Sequence, residues 1–200
     1  GLLGEGKAAF PMAGKIGVVH IEGMITGSEE ITGQLDEFSD DDGVKAIVVR
    51  IDSPGGGVAP SQEVYEAIRR IRGQKRVVAS MGSVAASGGY LIALAAEKIV
   101  ANPGTITGSI SAIMHFADIQ QLMQKVGVRS SVVKSGKFKD IGTPVRAMTD
   151  EERQLVQGVV DDIYDQFLET VAENRGIPRE ALSGLADGRI FTGRQAQQLK

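Results

Sequence analysis

The stretch KAIVVRIDSPGGGVAPSQEVYEAIRRIR, Lys45 to Arg72, decides the fold. Lys45 to Ile51 is nearly continuous apolar and rich in β-branched residues, the pattern of a strand covered on both faces. Ser53-Pro54-Gly55-Gly56-Gly57 then breaks the run, and Val64, Ile68 and Ile71 recur on one helical stripe between Pro60 and about Arg72. A buried strand, a tight turn and an amphipathic helix in this order form the unit of an α/β fold with a mainly parallel sheet. The unit repeats outward. Lys15 to Ile21 predicts a strand followed by a short helix carrying Ile31, Leu35 and Phe38; Val77 to Met81 and Ser87 to Ala96 predict another strand and helix; Lys98 to Ala101 predicts a short strand.

Beyond this region, Phe116 to Val126 is amphipathic and Val128 to Val133 predicts a strand. Lys134 to Met148 is a polar loop with Lys134, Lys137 and Lys139 near its start. Thr149 and Glu152 form a capping box. The helix it opens runs to about Asn174, with Leu155, Val159, Val160, Ile163, Phe167 and Val171 on one side. A last helix is expected at Gly193 to Leu199. The uncharged run Val77 to Ala96 is twenty residues long, nominally enough to cross a bilayer, but Ser87-Gly88-Gly89 interrupts it. Strand, turn and buried helix explain it better.

Composition narrows the function. Twenty-two basic against 25 acidic residues give a formal charge of −3, so the basic footprint of a nucleic-acid binder is absent. Without cysteine there is no disulfide framework, Cys nucleophile or thiolate metal site. His20 alternates within a strand and His115 is expected to start a helix, so both read as structural. Glycine is abundant, at 26 of 200 residues. It gathers in three turns: Gly55 to Gly57, Gly82 to Gly89, and Gly104 to Ser109. None fits a dinucleotide fingerprint or a P-loop. Each turn either satisfies backbone geometry alone or presents unobstructed N–H groups to an oxyanion. Ser87, between Ala85-Ala86 and Gly88-Gly89, is either a helix cap or a nucleophile. With both histidines poorly placed and Asp52 the lone carboxylate beside these turns, the base would be a lysine whose pKa is lowered by desolvation. The bland reading of the lysine loop is a solvated surface.

Four motifs in order resolve these alternatives: RIDSPGGGV (Arg50 to Val58), MGSVAASGGY (Met81 to Tyr90), PGTITGSI (Pro103 to Ile110) and KSGKFKDIG (Lys134 to Gly142). Together they resemble the signal peptide peptidase A family of serine/lysine proteases in its short, single-domain form. The resemblance covers about Lys15 to Leu199 and implies a Clp protease/crotonase-like α/β fold with repeated β-β-α units. It implies Ser87 as nucleophile, Lys139 as general base and Ser109 as the group that orients the lysine. The amides of Gly55 and Gly88 are the implied oxyanion donors, with Gly56 the alternative if the register differs by one residue. No metal, nucleotide or organic cofactor is implied.

The expected function is therefore an endopeptidase that hydrolyses cleaved signal peptides or similar apolar peptides through an acyl-enzyme, preferring apolar or small residues at the cleavage-side pocket. A related protease trimming a specific protein partner, such as a membrane scaffold or capsid protein, shares these motifs. A crotonase-type acyl-CoA enzyme would use carboxylates as acid and base, and the Gly82 to Gly89 turn has no Glu. A catalytically silent scaffold is the third class. The resemblance further implies a homo-oligomeric ring with active sites shared between protomers, and membrane anchoring of the intact protein with an extracytoplasmic catalytic domain. Residues 1–200 are expected to form one protease domain, with 1–14 a flexible N-terminal remnant lacking the anchor and a C-terminus that is truncated.

Overall fold

The computed structural model describes residues 14–199; nearly all of the expected N-terminal remnant lies outside the described residues. Strand β1 (Lys15–Ile25), helix α1 (Glu29–Asp40), β2 (Val44–Gly56), α2 (Val58–Ile71), β3 (Arg76–Ala86) and α3 (Gly88–Leu94) alternate, followed by β4 (Lys98–Val100), β5 (Ile106–Gly108) and α4 (Gln120–Lys125). The chain continues with α5 (Asp150–Arg175), α6 (Arg179–Leu182), β6 (Ile190–Thr192) and α7 (Gly193–Leu199). The sheet order is β1-β2-β3-β5-β6, with β4 also paired to β3. All pairings are parallel except β5 with β6. The α/β, mainly parallel architecture is as expected. Val77 to Ala96 is strand and helix, and among the described residues no helix is long and apolar enough to cross a membrane.

The core lies on one face of the sheet. Val19 and Ile21, then Ile47, Val49 and Ile51, then Val77, Ala79 and Met81 point into it and meet Leu35, Val64, Ile68 and Ile92 from α1, α2 and α3. Burying each such side chain contributes roughly 1.5–3 kcal/mol. The opposite face is only partly covered: Ala46, Val48 and Arg50 are half-buried and Val18 is exposed. The expectation that Lys45–Ile51 is enclosed on both faces is therefore corrected. Its apolar run reflects a central position between two strands.

Other expectations also change. Val128–Val133 forms no strand, and among the described residues no strand pairs with it to complete a ladder. Val132 and Val133 are exposed instead. Within Phe116–Val126 only α4 is helical, and His115 lies in irregular chain. Along α5, Phe167, Leu168 and Val171 are buried, whereas Leu155 and Val159 are about half exposed at 47% and 50%. The apolar residues that α5 buries lie in its C-terminal half.

A break in register aims the third strand. Ile51 pairs with Met81, but Ser53 pairs with Ala85, so two residues of β2 face four of β3. Such a bulge bends the strand that carries it. Below the bend, Val78–Ser80 pair with β4; above it, Val84–Ala86 pair with β5. Three side chains hold the bend. Asp52 Oδ1 accepts the Val84 N–H at 3.0 Å, Thr105 Oγ1 donates to Gly82 O at 2.8 Å, and Thr107 Oγ1 donates to Ala85 O at 2.7 Å. Backbone hydrogen bonds from Val84 and Ser83 hold the Asp52 carboxyl below the usual range, so it accepts as an anion.

Candidate active site

Ser87 stands where β3 ends and α3 begins, at φ 51° and ψ −121°. Ser87 and Ser109, at φ 53°, are the non-glycine residues with positive φ among those described. A side chain in this region costs roughly 1–3 kcal/mol and persists only where its surroundings enforce it. Here the surroundings are neighbouring strand ends. Ser87 N–H donates to Gly108 O at 2.9 Å, and Ser109 N–H donates to Arg189 O at 2.8 Å. With Ala86 paired to Gly108, the two serines follow adjacent residues of adjacent parallel strands. Both are half-buried, and among the described residues neither hydroxyl has a hydrogen-bond partner. A strained serine at a strand-to-helix elbow is the geometry that exposes a nucleophilic Oγ.

The glycines expected as oxyanion donors differ in their surroundings. Gly88 opens α3, where an N–H has no acceptor within the helix. Gly55 is buried, and its N–H donates to Ser53 Oγ at 3.0 Å. Gly57 N–H donates to Ile25 O at 2.8 Å, toward β1. Gly55, at φ 100°, breaks the strand alternation and packs against Ser87 and Gly88, while Gly56 pairs with Ile25 of β1. Gly56, Ser87 and Gly88 line one cavity of about 50 Å³, walled by Val58 of α2, Leu91 of α3 and Phe167 of α5. Gly55 supplies close approach: a Cβ there would lie 2.7 Å from Gly88 N. At Gly88 a Cβ would meet Ser61 Oγ at 2.4 Å, and that hydroxyl is itself held by Gly57 O at 2.8 Å.

The loop lysines also sort. Lys134 pairs with Asp140, and Lys137 pairs with Glu151 while standing 5.1 Å from the Phe138 ring centre. Lys139 is exposed and has no ion-pair partner among the described residues. Arg146 clamps the loop, bridging Asp140 at 3.0 Å and Glu152 at 2.5 Å. Glu152 completes the expected capping box with Thr149 and is itself buried. The Arg146 guanidinium, then the Thr149 N–H, push the Glu152 carboxyl down to about 2. Arg146 and then Lys134 hold Asp140 well below its ordinary value.

These anchors stand away from Ser87. The cavity beside the serine is lined from α5 by Ile163, Gln166, Phe167 and Thr170, and by nothing from the Lys134–Met148 loop. Ile163 follows Glu152 by eleven residues, about 16 Å along the helix axis. Within one chain the structure brings together Ser87, Ser109, Gly55, Gly56 and Gly88, and does not join Lys139 to them. Sequence reading missed the supporting roles of Ser61, Thr105 and Thr107; their bonds span loops or strands. Among the described residues no cluster of His, Cys, Asp or Glu is arranged to hold a metal ion.

Comparison with known proteins places this geometry. Residues 69–200 match Peptidase family S49, and residues 18–107 match the Clp protease family. The chain is 47% identical over 154 residues to the Synechocystis protein slr0021, provisionally named a protease, covering 77% of this chain and 56% of that protein. It is 34% identical to Protease 4 of Salmonella typhi, covering 96% of this chain and 32% of the relative. With the chloroplastic serine protease SPPA of Arabidopsis thaliana the identity is 33%, over 84% of this chain and 25% of the relative. The chain thus spans about half or less of the length of these relatives. Among solved structures, an N165D mutant of ClpP1 from Listeria monocytogenes superposes with a TM-score of 0.62 at 19% identity, covering 90% of this chain and 85% of that one. That likeness shows the Clp fold. From the match over residues 69–200 and these protease relatives, the chain belongs to peptidase family S49, the signal peptide peptidase A family of serine proteases.

Proposed function

We propose that the protein is an endopeptidase working through a Ser87–Lys139 dyad within a single catalytic domain. The observation that carries the reading is the placement of Ser87 and Ser109 at the neighbouring ends of β3 and β5, with Gly56 and Gly88 lining the cavity beside Ser87. Neutral Lys139 takes the Ser87 hydroxyl proton as Oγ bonds to the peptide carbonyl carbon. The oxyanion is held by Gly88 and Gly56 N–H groups, Gly55 N–H being engaged by Ser53. The C–N bond then breaks, the lysine returns its proton to the leaving amine, and water hydrolyses the acyl-enzyme. Ser109 orients the lysine. Apolar walls beside Ser87 support apolar peptides, cleaved signal peptides among them, as substrates, since an unpaired charge would be desolvated there.

Lys139 comes from a neighbouring protomer in this reading. Its exposure, its lack of a partner and the anchoring of its loop at the far end of α5 support this. So does the exposed apolar surface of Ile113, Met114, Phe116, Leu122 and Val132, with Leu155 and Val159 on α5, which a second copy would cover. A head-to-tail contact that closes makes a ring. Anchoring of the intact protein at a membrane, with this domain outside the cytoplasm, follows from the same reading. Co-expression of Ser87→Ala and Lys139→Ala chains tests the shared site. Each is inactive alone, and mixed rings should recover about a quarter of wild-type peptidase activity, because random assembly pairs an intact serine with an intact lysine at about one site in four. Verified mixed rings without activity would refute the sharing.

A further inference from the structure

The cavity beside Ser87 lies between α2, α3 and α5. Its volume is about 50 Å³, and at about 10–15 Å³ per water it holds about three to five water-sized groups, the bulk of a valine or leucine side chain. Val58 and Leu91 form the walls built on α2 and α3, whose neighbours pack into the core. Ile163 and Phe167 form the wall built on α5. That helix is fastened at its C-terminal end, where Phe167, Leu168 and Val171 are buried and Asn174 Nδ2 donates to Tyr65 Oη at 2.8 Å. Toward its N-terminus, Leu155 and Val159 are exposed in the single chain.

One hydrogen bond closes the gap at the mouth of the cavity. Gln62 Nε2 on α2 donates to Gln166 Oε1 on α5 at 2.9 Å, between residues 104 positions apart. Gln166 is held in turn by Asp162 Oδ2, which accepts from its Nε2 at 2.8 Å. Both glutamines line the cavity. Gln166 immediately precedes the buried Phe167, so the glutamine bond ties α2 to the fastened part of α5 at the cavity itself.

We propose that the Gln62–Gln166 bond is a clasp that sets the width of the pocket beside Ser87, and with it the size of substrate side chain admitted next to the scissile bond. The proposal rests on the reading of Ser87 as the nucleophile. A neutral, solvent-exposed bond of this kind shifts an equilibrium by about two- to tenfold. It is weak enough to yield to a tightly bound substrate and strong enough to discriminate between side chains.

The test is a fluorogenic peptide series with Ala, Val, Leu or Phe on the acyl side of the cleaved bond, hydrolysed by the intact protein and by Gln62→Ala, Gln166→Ala and the double variant. Wild type should favour Val and Leu over Phe. Each single variant should raise the Phe-to-Val ratio of kcat/KM by about two- to tenfold, and the double variant should go no further, since either change removes the same bond. An active wild type whose Phe-to-Val ratio is unchanged in both single variants, or a double variant whose effect is the product of the singles, overturns the clasp alone. A wild-type protein that hydrolyses none of the peptides and leaves Ser87 unlabelled by a serine-reactive phosphonate overturns the underlying reading and the clasp together.

Discussion

Replacing Thr107 by valine keeps the shape of the side chain and removes its hydroxyl, which isolates one bond beneath the nucleophile. Thr107 is 2% exposed, and its Oγ1 donates to Ala85 O at 2.7 Å, two residues before Ser87. Loss of a buried donor costs about 1–3 kcal/mol. At about 2–4 °C per kcal/mol for a chain of this size, the melting temperature should fall by about 2–12 °C. Thr107→Ser keeps the donor and loses a methyl group, about 0.8 kcal/mol by transfer, so it should melt closer to wild type. The bond joins β3 to β5, and Ser87 N–H hangs on Gly108 of the same β5. Peptide hydrolysis by Thr107→Val should therefore fall several-fold at a temperature where the variant is fully folded. Scanning calorimetry and initial rates are the measurements. A valine variant that melts and turns over like wild type, beside a serine variant that does not, would refute the claim that the hydroxyl holds the strand.

Gly88→Ala should cut activity at least tenfold, because its Cβ would meet Ser61 Oγ at 2.4 Å beside the nucleophile; adding Ser61→Ala removes that atom and should restore part of the rate. Glu152 and Asp140 are carboxylates with folded pKa values below their ordinary ones, so what they contribute is fully present above the unfolded value, about 4.5 for Glu152, and lost as pH falls toward about 2. Hydrogen-exchange protection of the Lys134–Met148 loop should accordingly be level from pH 7 to about 5 and decline below that. Arg146→Ala should loosen the loop at neutral pH, and a loop equally protected in that variant would contradict the clamp.

The sequence carried the layered fold because its long elements have strong local patterns. Alternating and continuous apolar runs marked β1 to β3, the Thr149–Glu152 pair marked the start of α5, and Ser87-Gly88-Gly89 marked the elbow. Strands β5 and β6 escaped notice because three residues such as Ile106–Gly108 are too few for any period, and their pairing is decided at long range. Val128–Val133 failed for the opposite reason: its composition suits a strand, but composition supplies no partner. Leu155 and Val159 keep the helical period and still face outward, since periodicity reports an apolar stripe and not what covers it. At the site, the motifs pointed to Ser87, Ser109, Lys139 and the glycines around them. That Ser109 follows the strand beside Ser87, that Gly55 N–H is taken by Ser53, and that Lys134 and Lys137 have carboxylate partners while Lys139 has none among the described residues required three dimensions.

Ser87 as a lysine-activated nucleophile is the central claim, and labelling by a serine-reactive phosphonate, located by peptide mapping and timed in the assembled protein, tests it most directly. The account predicts a single modified residue, Ser87, with a labelling rate about a hundredfold or more lower in Lys139→Ala and no rescue in Lys139→Arg, because a guanidinium does not give up its proton near neutral pH. Modification of another serine in place of Ser87, or labelling of Lys139→Ala at the wild-type rate, would contradict it.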